Sequence, residues 1–377
     1  MIRIVHVISA LRTGGAEMML AKLVNGLDRQ RFSNVVISLA DAGPLKPQIE
    51  GLGVPVYSLG MKRGPEDIFA LNRLVRLLSE LKPTIVQSWL YHADGLSTVA
   101  AKLARLPVLI WNVRCSDMDL TKYRSLTRCV RWLLACCSGI PDAVIVNSVV
   151  GKRQHEQLGY RPKRWEIIPN GFDIERFRPN HETRVACRKS WGVNGDTAVI
   201  GLIARVDPMK DHETFFAAAE QTVRARSNVH FVLAGENTQT LREVVLKKGL
   251  MDVVHLLGYR NDMEALLPGI DICCLSSAFG EGFPNVIGEA MACGVPCVST
   301  DVGDVRGIVE ETGSIVPIRD ADALAKALID LIDRGPEERE RLGRAARQKI
   351  ETSYSLPAIV EKYAALYVHL ARRAGCA

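Results

Sequence analysis

Short, continuously apolar runs alternate with longer amphipathic stretches from one end of this chain to the other, and that alternation leaves few folds open. Runs at 2–8, 35–39, 84–87, 108–112, 143–146 and 166–168 are rich in Val and Ile and read as strands. The segments 16–27, 66–81, 93–106 and 120–137 between them carry apolar residues at helical spacing. Strand and helix in regular turn predict a parallel sheet with crossover helices, an α/β fold. The pattern pauses at Pro169-Asn170-Gly171-Phe172 and a polar stretch through Pro179, then restarts. Strands follow at 198–203, 229–234, 253–256, 270–275 and 296–299, with helices at 213–223, Asn285–Ala292 and 321–332.

Two domains are therefore expected, 1–178 and 179–355, each Rossmann-like with a parallel sheet. A last helix within 356–377 is expected to cross back to the first. The length of 377 residues suits two cores better than one. Folds of this type hold ligands beyond the carboxyl ends of their strands, so two facing domains predict an interdomain cleft.

Hydrophobic residues at 47% and charged residues at 24% exclude global disorder. The ten cysteines show no recurring C-x-x-C, and Cys136/Cys137, Cys273/Cys274 and Cys293/Cys297 sit in apolar stretches. They read as small buried hydrophobes in a reducing compartment. The opening run carries Arg3 and His6 and reads as a strand, not a leader, and no run of about twenty apolar residues occurs. A cytoplasmic location is expected. Residues 1–178 hold 25 basic and 15 acidic side chains, against 23 and 27 in the remainder. The basic first half points to an anionic partner. Lys122, Arg124, Arg128 and Arg131 lie beside Leu126, Val130, Trp132, Leu133 and Leu134 in 120–137. That helix can lie on anionic lipid at the inner membrane face, or pack on its own domain. No nucleic-acid motif is present, and nucleic acid is not expected as a partner.

Three segments carry chemistry. The first loop, Ser9-Ala10-Leu11-Arg12-Thr13-Gly14-Gly15-Ala16-Glu17, sets Gly14 and Gly15 at a helix start, where backbone approaches a ligand closely and an anion is favoured. The spacing is not G-x-G-x-x-G, so the dinucleotide fingerprint is absent, and the pair also fits a plain tight turn. The second segment, from Gly201 to Asp211, puts Arg205 at a strand's carboxyl end and Lys210 at the next helix start. Two cations so placed suit a diphosphate, and equally a solvated surface. The third reads Gly280-Glu281-Gly282-Phe283-Pro284-Asn285-Val286-Ile287-Gly288-Glu289. Pro284 suits the first turn of a helix, whose N–H groups around 283–286 would meet a phosphate or sugar hydroxyls. At ~1.5 Å per residue Glu281 and Glu289 stand about 12 Å apart or further, beyond the about 5–9.5 Å of a glycosidase pair. They should touch different parts of one long ligand.

Together these motifs resemble glycosyltransferase family 4, the retaining GT-B enzymes. The sequence carries E-x7-E at Glu281 and Glu289, the Arg205/Lys210 pair, the early Gly-Gly-Ala-Glu loop and I-P-N-G-F-D-x-x-x-F-x-P at 168–179. The resemblance spans essentially the whole chain, with the motifs in the family's order. It implies that Arg205 and Lys210 bind the donor diphosphate and stabilise the departing nucleotide, with Glu289 on the ribose. It further implies that Glu281 and the backbone of Phe283, Pro284, Asn285 and Val286 hold the donor sugar. Gly14 and Gly15 would let the first domain close over phosphate and acceptor, and Tyr259, in Leu257-Gly258-Tyr259-Arg260, matches the base-contacting loop. Many members carry a histidine where the strand near 108–113 ends. Here Arg114 stands there, and His92 is a second candidate, so the acceptor-side assignment stays open between them.

The activity implied is retaining, metal-independent transfer of a hexosyl or N-acetylhexosaminyl group from a nucleotide-sugar donor, UDP-linked by preference. The acceptor would be a glycan or a lipid-diphosphate-linked glycan. Q-S-W-x-x-H-A-D with N-x-R-x-S-D is similar to bacterial O-antigen and exopolysaccharide enzymes. The donor is a substrate, so no cofactor is expected, and metal independence is expected on the reading that no D-x-D triplet occurs. Alternatives are a sugar-nucleotide 2-epimerase of the same architecture, a non-catalytic sugar-nucleotide binder and an NAD-dependent oxidoreductase.

Overall fold

The computed structural model describes residues 1–12, 14–41, 43–61, 68–114 and 125–376. The chain divides into two compact units, Met1–Gly171 with Leu356–Ala377, and Phe172–Ser355. The division falls at Gly171/Phe172 and not at 178/179. The reason is Phe172, a fully buried ring stacked on Phe283 with centroids 6.0 Å apart, which belongs to the second core.

The first unit has seven strands among the described residues: β1 (Ile2–Ile8), β2 (Phe32–Ser38), β3 (Val56–Ser58), β4 (Ile85–Trp89), β5 (Val108–Val113), β6 (Ala143–Val146) and β7 (Trp165–Ile167). They form one parallel sheet in the order β3-β2-β1-β4-β5-β6-β7. Both faces are covered, so β1, β4, β5 and β6 are buried along nearly their whole length and do not alternate between buried and exposed residues. Alternate residues still choose sides. Ile4, Ile8, Ile85, Trp89 and Ile110 face the helices Gly15–Gly26 and Leu356–Arg373, while Val5, Val7, Val86 and Trp111 face Ile68–Leu81 and Tyr91–Leu103.

The first of these faces also carries polar groups. Gln87 accepts a hydrogen bond from Tyr367 at 2.6 Å, Asn112 donates to the Tyr363 hydroxyl at 3.1 Å, and Trp89 stacks on Tyr363. The C-terminal helix thus docks through tyrosines that fill the core with their rings and hydrogen-bond buried strand side chains with their hydroxyls.

The second unit has β8 (Ala198–Ile203), β9 (Val229–Ala234), β10 (Val254–Gly258), β11 (Ile272–Leu275), β12 (Cys297–Thr300) and β13 (Ser314–Val316), parallel in the order β10-β9-β8-β11-β12-β13. Counted from its own first strand this is 3-2-1-4-5-6, the Rossmann order. Helices start where the sequence offers caps: Asp211 accepts from the Thr214 N–H at 3.2 Å, and Asp320 from that of Ala323 at 2.9 Å. Cys273, Cys274, Cys293 and Cys297 are buried as expected, but Cys136 is exposed on the helix Ser125–Cys137. No helix among the described residues is long and apolar enough to cross a membrane.

Candidate functional site

In the second sheet the strand order reverses between β8 and β11, and the loops leaving their carboxyl ends run side by side. The Ala278 N–H donates to Met209 O at 2.9 Å and Ser276 Oγ to Lys210 O at 2.8 Å, tying the two loops together. Such a switch point is where a doubly wound sheet leaves room for a ligand.

Each loop presents one of the residues singled out in the sequence. Asp207 caps the short turn Pro208–Lys210, and Asp211 takes a left-handed backbone (φ 46°) to start the helix His212–Ala225. Lys210 is thereby turned toward the neighbouring loop, where its Nζ lies 2.5 Å from Oε1 of Glu281. The same oxygen accepts from Ser277 Oγ at 2.8 Å. With side-chain exposures of 13% and 10%, this is a buried, hydrogen-bonded ion pair. Arg205 behaves differently. Its side chain is 54% exposed and rests on Asp207 at 3.2 Å, a contact that solvent keeps weak. Partial burial opposes ionisation of Asp207, but the Met209 N–H and the Arg205 guanidinium together hold its carboxyl below the usual range.

Glu281 leads into the helix Asn285–Ala292. Pro284 is the residue preceding this helix and not its first turn, and no side chain caps that end, so its leading N–H groups keep the positive potential of a helix start. Glu289 lies half-buried inside the helix. Phe283 is buried against Phe172. Tyr259 is 68% exposed just beyond the carboxyl end of β10, and the preceding Gly258 accepts from the Gly235 N–H at 2.8 Å.

Several supporting residues carry no motif signal. A Cβ on Gly235 would fall 2.1 Å from Ala204 O, and one on Gly303 would fall 2.5 Å from the carbonyls of Glu281 and Gly282. These two glycines let the loops after β9 and β12 close onto those bearing Arg205 and Glu281. Glycines just past strand ends (Leu-Ala-Gly and Asp-Val-Gly-Asp) are the signal that could have found them. Ser277 and Asp207 had none, because their roles depend on contacts the turns create.

In the first unit the sheet order reverses between β1 and β4. Gly14 precedes the helix Gly15–Gly26 in extended conformation, and no side chain caps it. His92 is exposed on the first turn of Tyr91–Leu103, right after Leu90, which holds a positive φ of 73°. Arg114 is buried at the end of β5. It donates to Tyr363 Oη at 3.1 Å and Asn112 Oδ1 at 3.3 Å, bonds Asn170 Oδ1, and lies 5.5 Å over the Trp89 ring. Those contacts make Arg114 a brace for the C-terminal helix. Of the two acceptor-side candidates, His92 alone is open to solvent.

Two D-x-D triplets do occur, Asp117-Met118-Asp119 and Asp320-Ala321-Asp322. The first lies outside the described residues, as do Lys122 and Arg124. In the second, Asp320 caps a helix and Asp322 accepts from Gln221 at 2.7 Å.

The family profile "Glycosyl transferases group 1" matches residues 184–349, and "Glycosyltransferase Family 4" matches 13–176. The chain belongs to glycosyltransferase family 4 and has the GT-B architecture. It is 27% identical, over 81% of its length and 80% of the relative's, to the UDP-Gal:alpha-D-GlcNAc-diphosphoundecaprenol alpha-1,3-galactosyltransferase of Escherichia coli. It is 25% identical to the putative glycosyltransferase EpsF of Bacillus subtilis, over 79% of each chain. HepE of Anabaena in complex with UDP has a similar structure, with a TM-score of 0.85 at 22% identity, covering 98% of this chain and all of that one. The protein is a glycosyltransferase of glycan synthesis.

Proposed function

We propose that the protein transfers a hexosyl or N-acetylhexosaminyl group from a UDP-sugar to a lipid-diphosphate-linked glycan, with retention of configuration and without a metal. The observation that carries this reading is the meeting of Lys210 and Glu281 at the switch point of the second sheet, beside an exposed Arg205 and an uncapped helix start. Glycosyl transfer builds negative charge on the leaving diphosphate while the anomeric carbon becomes cationic. Fixed positive charge and helix N–H groups lower that barrier. In this reading Arg205 and Lys210 take the diphosphate, Glu281 and the 283–286 backbone the sugar, Glu289 the ribose and Tyr259 the base. The first unit binds the acceptor, with Gly14, Gly15 and His92 on the loops that contact it. The UDP-Gal in the name of the E. coli relative, and the UDP and UDP-glucose complexes of HepE, favour uridine.

Peripheral attachment to anionic lipid belongs to the same reading. Trp132 and Leu133 on Ser125–Cys137 are 67% and 55% exposed, and Val99 and Leu103 on the adjoining helix Tyr91–Leu103 are 45% and 61% exposed. This apolar surface suits a membrane interface. Flotation with anionic vesicles tests it, and loss of flotation in W132S/L133S is the expected result.

A thermal-shift panel of UDP-, GDP- and TDP-sugars, followed by turnover with and without EDTA and by NMR of the product's anomeric centre, tests the donor chemistry. An inverted product, or a turnover abolished by EDTA, would sink the corresponding clause. Hydrolysis-free epimerisation of the UDP-sugar would favour the 2-epimerase reading, and tight UDP binding with no turnover the non-catalytic one.

A further inference from the structure

At the opposite end of the second sheet, beneath the amino ends of β11 and β12, lies a cavity of about 430 Å³ that the donor reaction does not use. Its charged wall is built around Asp271, the residue before β11. Asp271 receives Arg184 Nη2 at 2.6 Å, Arg188 Nη1 at 2.9 Å and the Val199 N–H at 2.8 Å, which occupies both of its oxygens.

Besides Arg184, a second guanidinium, that of Arg339, lines the cavity without an acidic partner among the described residues. Its Nη1 alone is engaged, donating to Leu331 O at 3.1 Å and Ile332 O at 3.0 Å. The Nε–Nη2 edge, which grips an oxyanion in bidentate fashion, is left over. Partial burial depresses the Arg339 pKa, and the charges of Arg184 and Arg188 push the same way against the pull of Asp271. Glu340 also lines the cavity, but its carboxylate pairs with Arg344 at 2.6 Å, and its side chain is 72% exposed. Arg184 and Arg339 line the cavity, and Arg188 bonds Asp271 without lining it, so three guanidiniums lie near one carboxylate and the surplus positive charge is what a bound anion would relieve. The remaining wall is apolar: Pro268, Ile270, Val295 and Pro296.

We propose that this cavity is a second ligand site, taking a small organic oxyanion whose phosphate or carboxylate sits on Arg339 and Arg184 and whose body lies on the proline-rich wall. The site is independent of the donor reading, since its residues share no contact with Lys210 or Glu281.

Isothermal titration of phenyl phosphate and of benzoate into the full chain, with saturating UDP present, tests it. At least one probe is expected to bind with one-to-one stoichiometry, and Arg339→Met to weaken it about tenfold or more, the worth of one charged hydrogen-bond pair. Arg184→Met is the second variant, its circular dichroism checked because Arg184 also braces Asp271. Preference for phenyl phosphate assigns phosphorylated metabolites, and preference for benzoate assigns carboxylates. Failure of both probes to bind, or affinity unmoved in Arg339→Met, overturns the proposal. A separate UDP titration reads the donor site on its own.

Discussion

The Lys210 ammonium and the Glu281 carboxylate hold each other across 71 residues of sequence, nearly out of reach of water. Removing either partner strands a buried charge, so an activity loss in a single variant mixes misfolding with lost chemistry. The double variant separates them. Lys210→Ala is expected to lower Tm, and K210A/E281Q to recover most of that loss. Turnover should stay down by about 10²–10³-fold in both, as for removal of a transition-state charge partner. Circular dichroism melts beside steady-state kinetics check this, and full activity in the double variant would remove Lys210 from the mechanism.

Arg205 offers a cleaner test because it is exposed. Arg205→Ala should change stability by no more than about 0.5 kcal/mol. UDP affinity should fall about tenfold or more if the guanidinium binds the diphosphate. Calorimetry with UDP and with uridine reads the difference: uridine binding should not move.

Gly288 admits the Phe172 ring. A Cβ there would fall 2.1 Å from Phe172 Cζ, and the ring cannot retreat because it stacks on Phe283. Gly288→Ala should therefore cost about 1–3 kcal/mol of stability, measurable by urea denaturation. A neutral result would mean that Phe172 is not held where it stands.

Asp94 makes stability depend on pH. It is wholly buried, with Ser88 Oγ on Oδ1 at 2.6 Å, and burial pushes its carboxyl up to about 8 against the pull of Ser88 and the Asn112 N–H. Unfolded, the same group ionises near 3.8. Between those values the folded state holds the proton and the unfolded state does not, so stability falls as pH rises through the window. Asp94→Asn removes that dependence, and its Tm advantage over the wild type should widen from pH 4 to pH 8. His6 works in the other direction. Burial lowers it from 6.5 to about 4, so its contribution is complete above 6.5 and is lost as pH falls toward 4. Melts across pH 4–8 for D94N and H6Q check both signs.

The long strands and their helices were legible because Val/Ile runs buried on both faces leave a pattern no loop imitates. The three-residue edge strands Val56–Ser58 and Ser314–Val316 were not, since so short a run has no period to read, although the equally short Trp165–Ile167 was read at 166–168. The charge-rich helix Gly335–Lys349 also escaped notice, as its apolar stripe reduces to a few buried residues such as Leu342 and Ala346. In the candidate site, spacing pointed to Lys210 and Glu281, and the fold brings them into contact. The contact of Arg114 with Tyr363 was not legible, because the two lie 249 residues apart. No local pattern encodes a pairing of that range.

The ends of the second unit meet. Phe172 donates its N–H to Tyr354 O at 2.9 Å and forms a bridge with Ser355, so the stretch Phe172–Ser355 starts and stops at one place. It is an insertion with a closed base, and the helix after it completes the core of the unit it interrupts. A gene fragment spanning that stretch can accordingly be lifted out, permuted or exchanged for a homologous cassette through a single seam. Cutting the chain after Ser355 instead would strip the tyrosines from the first core, so the second unit can be transplanted far more easily than the tail can be trimmed.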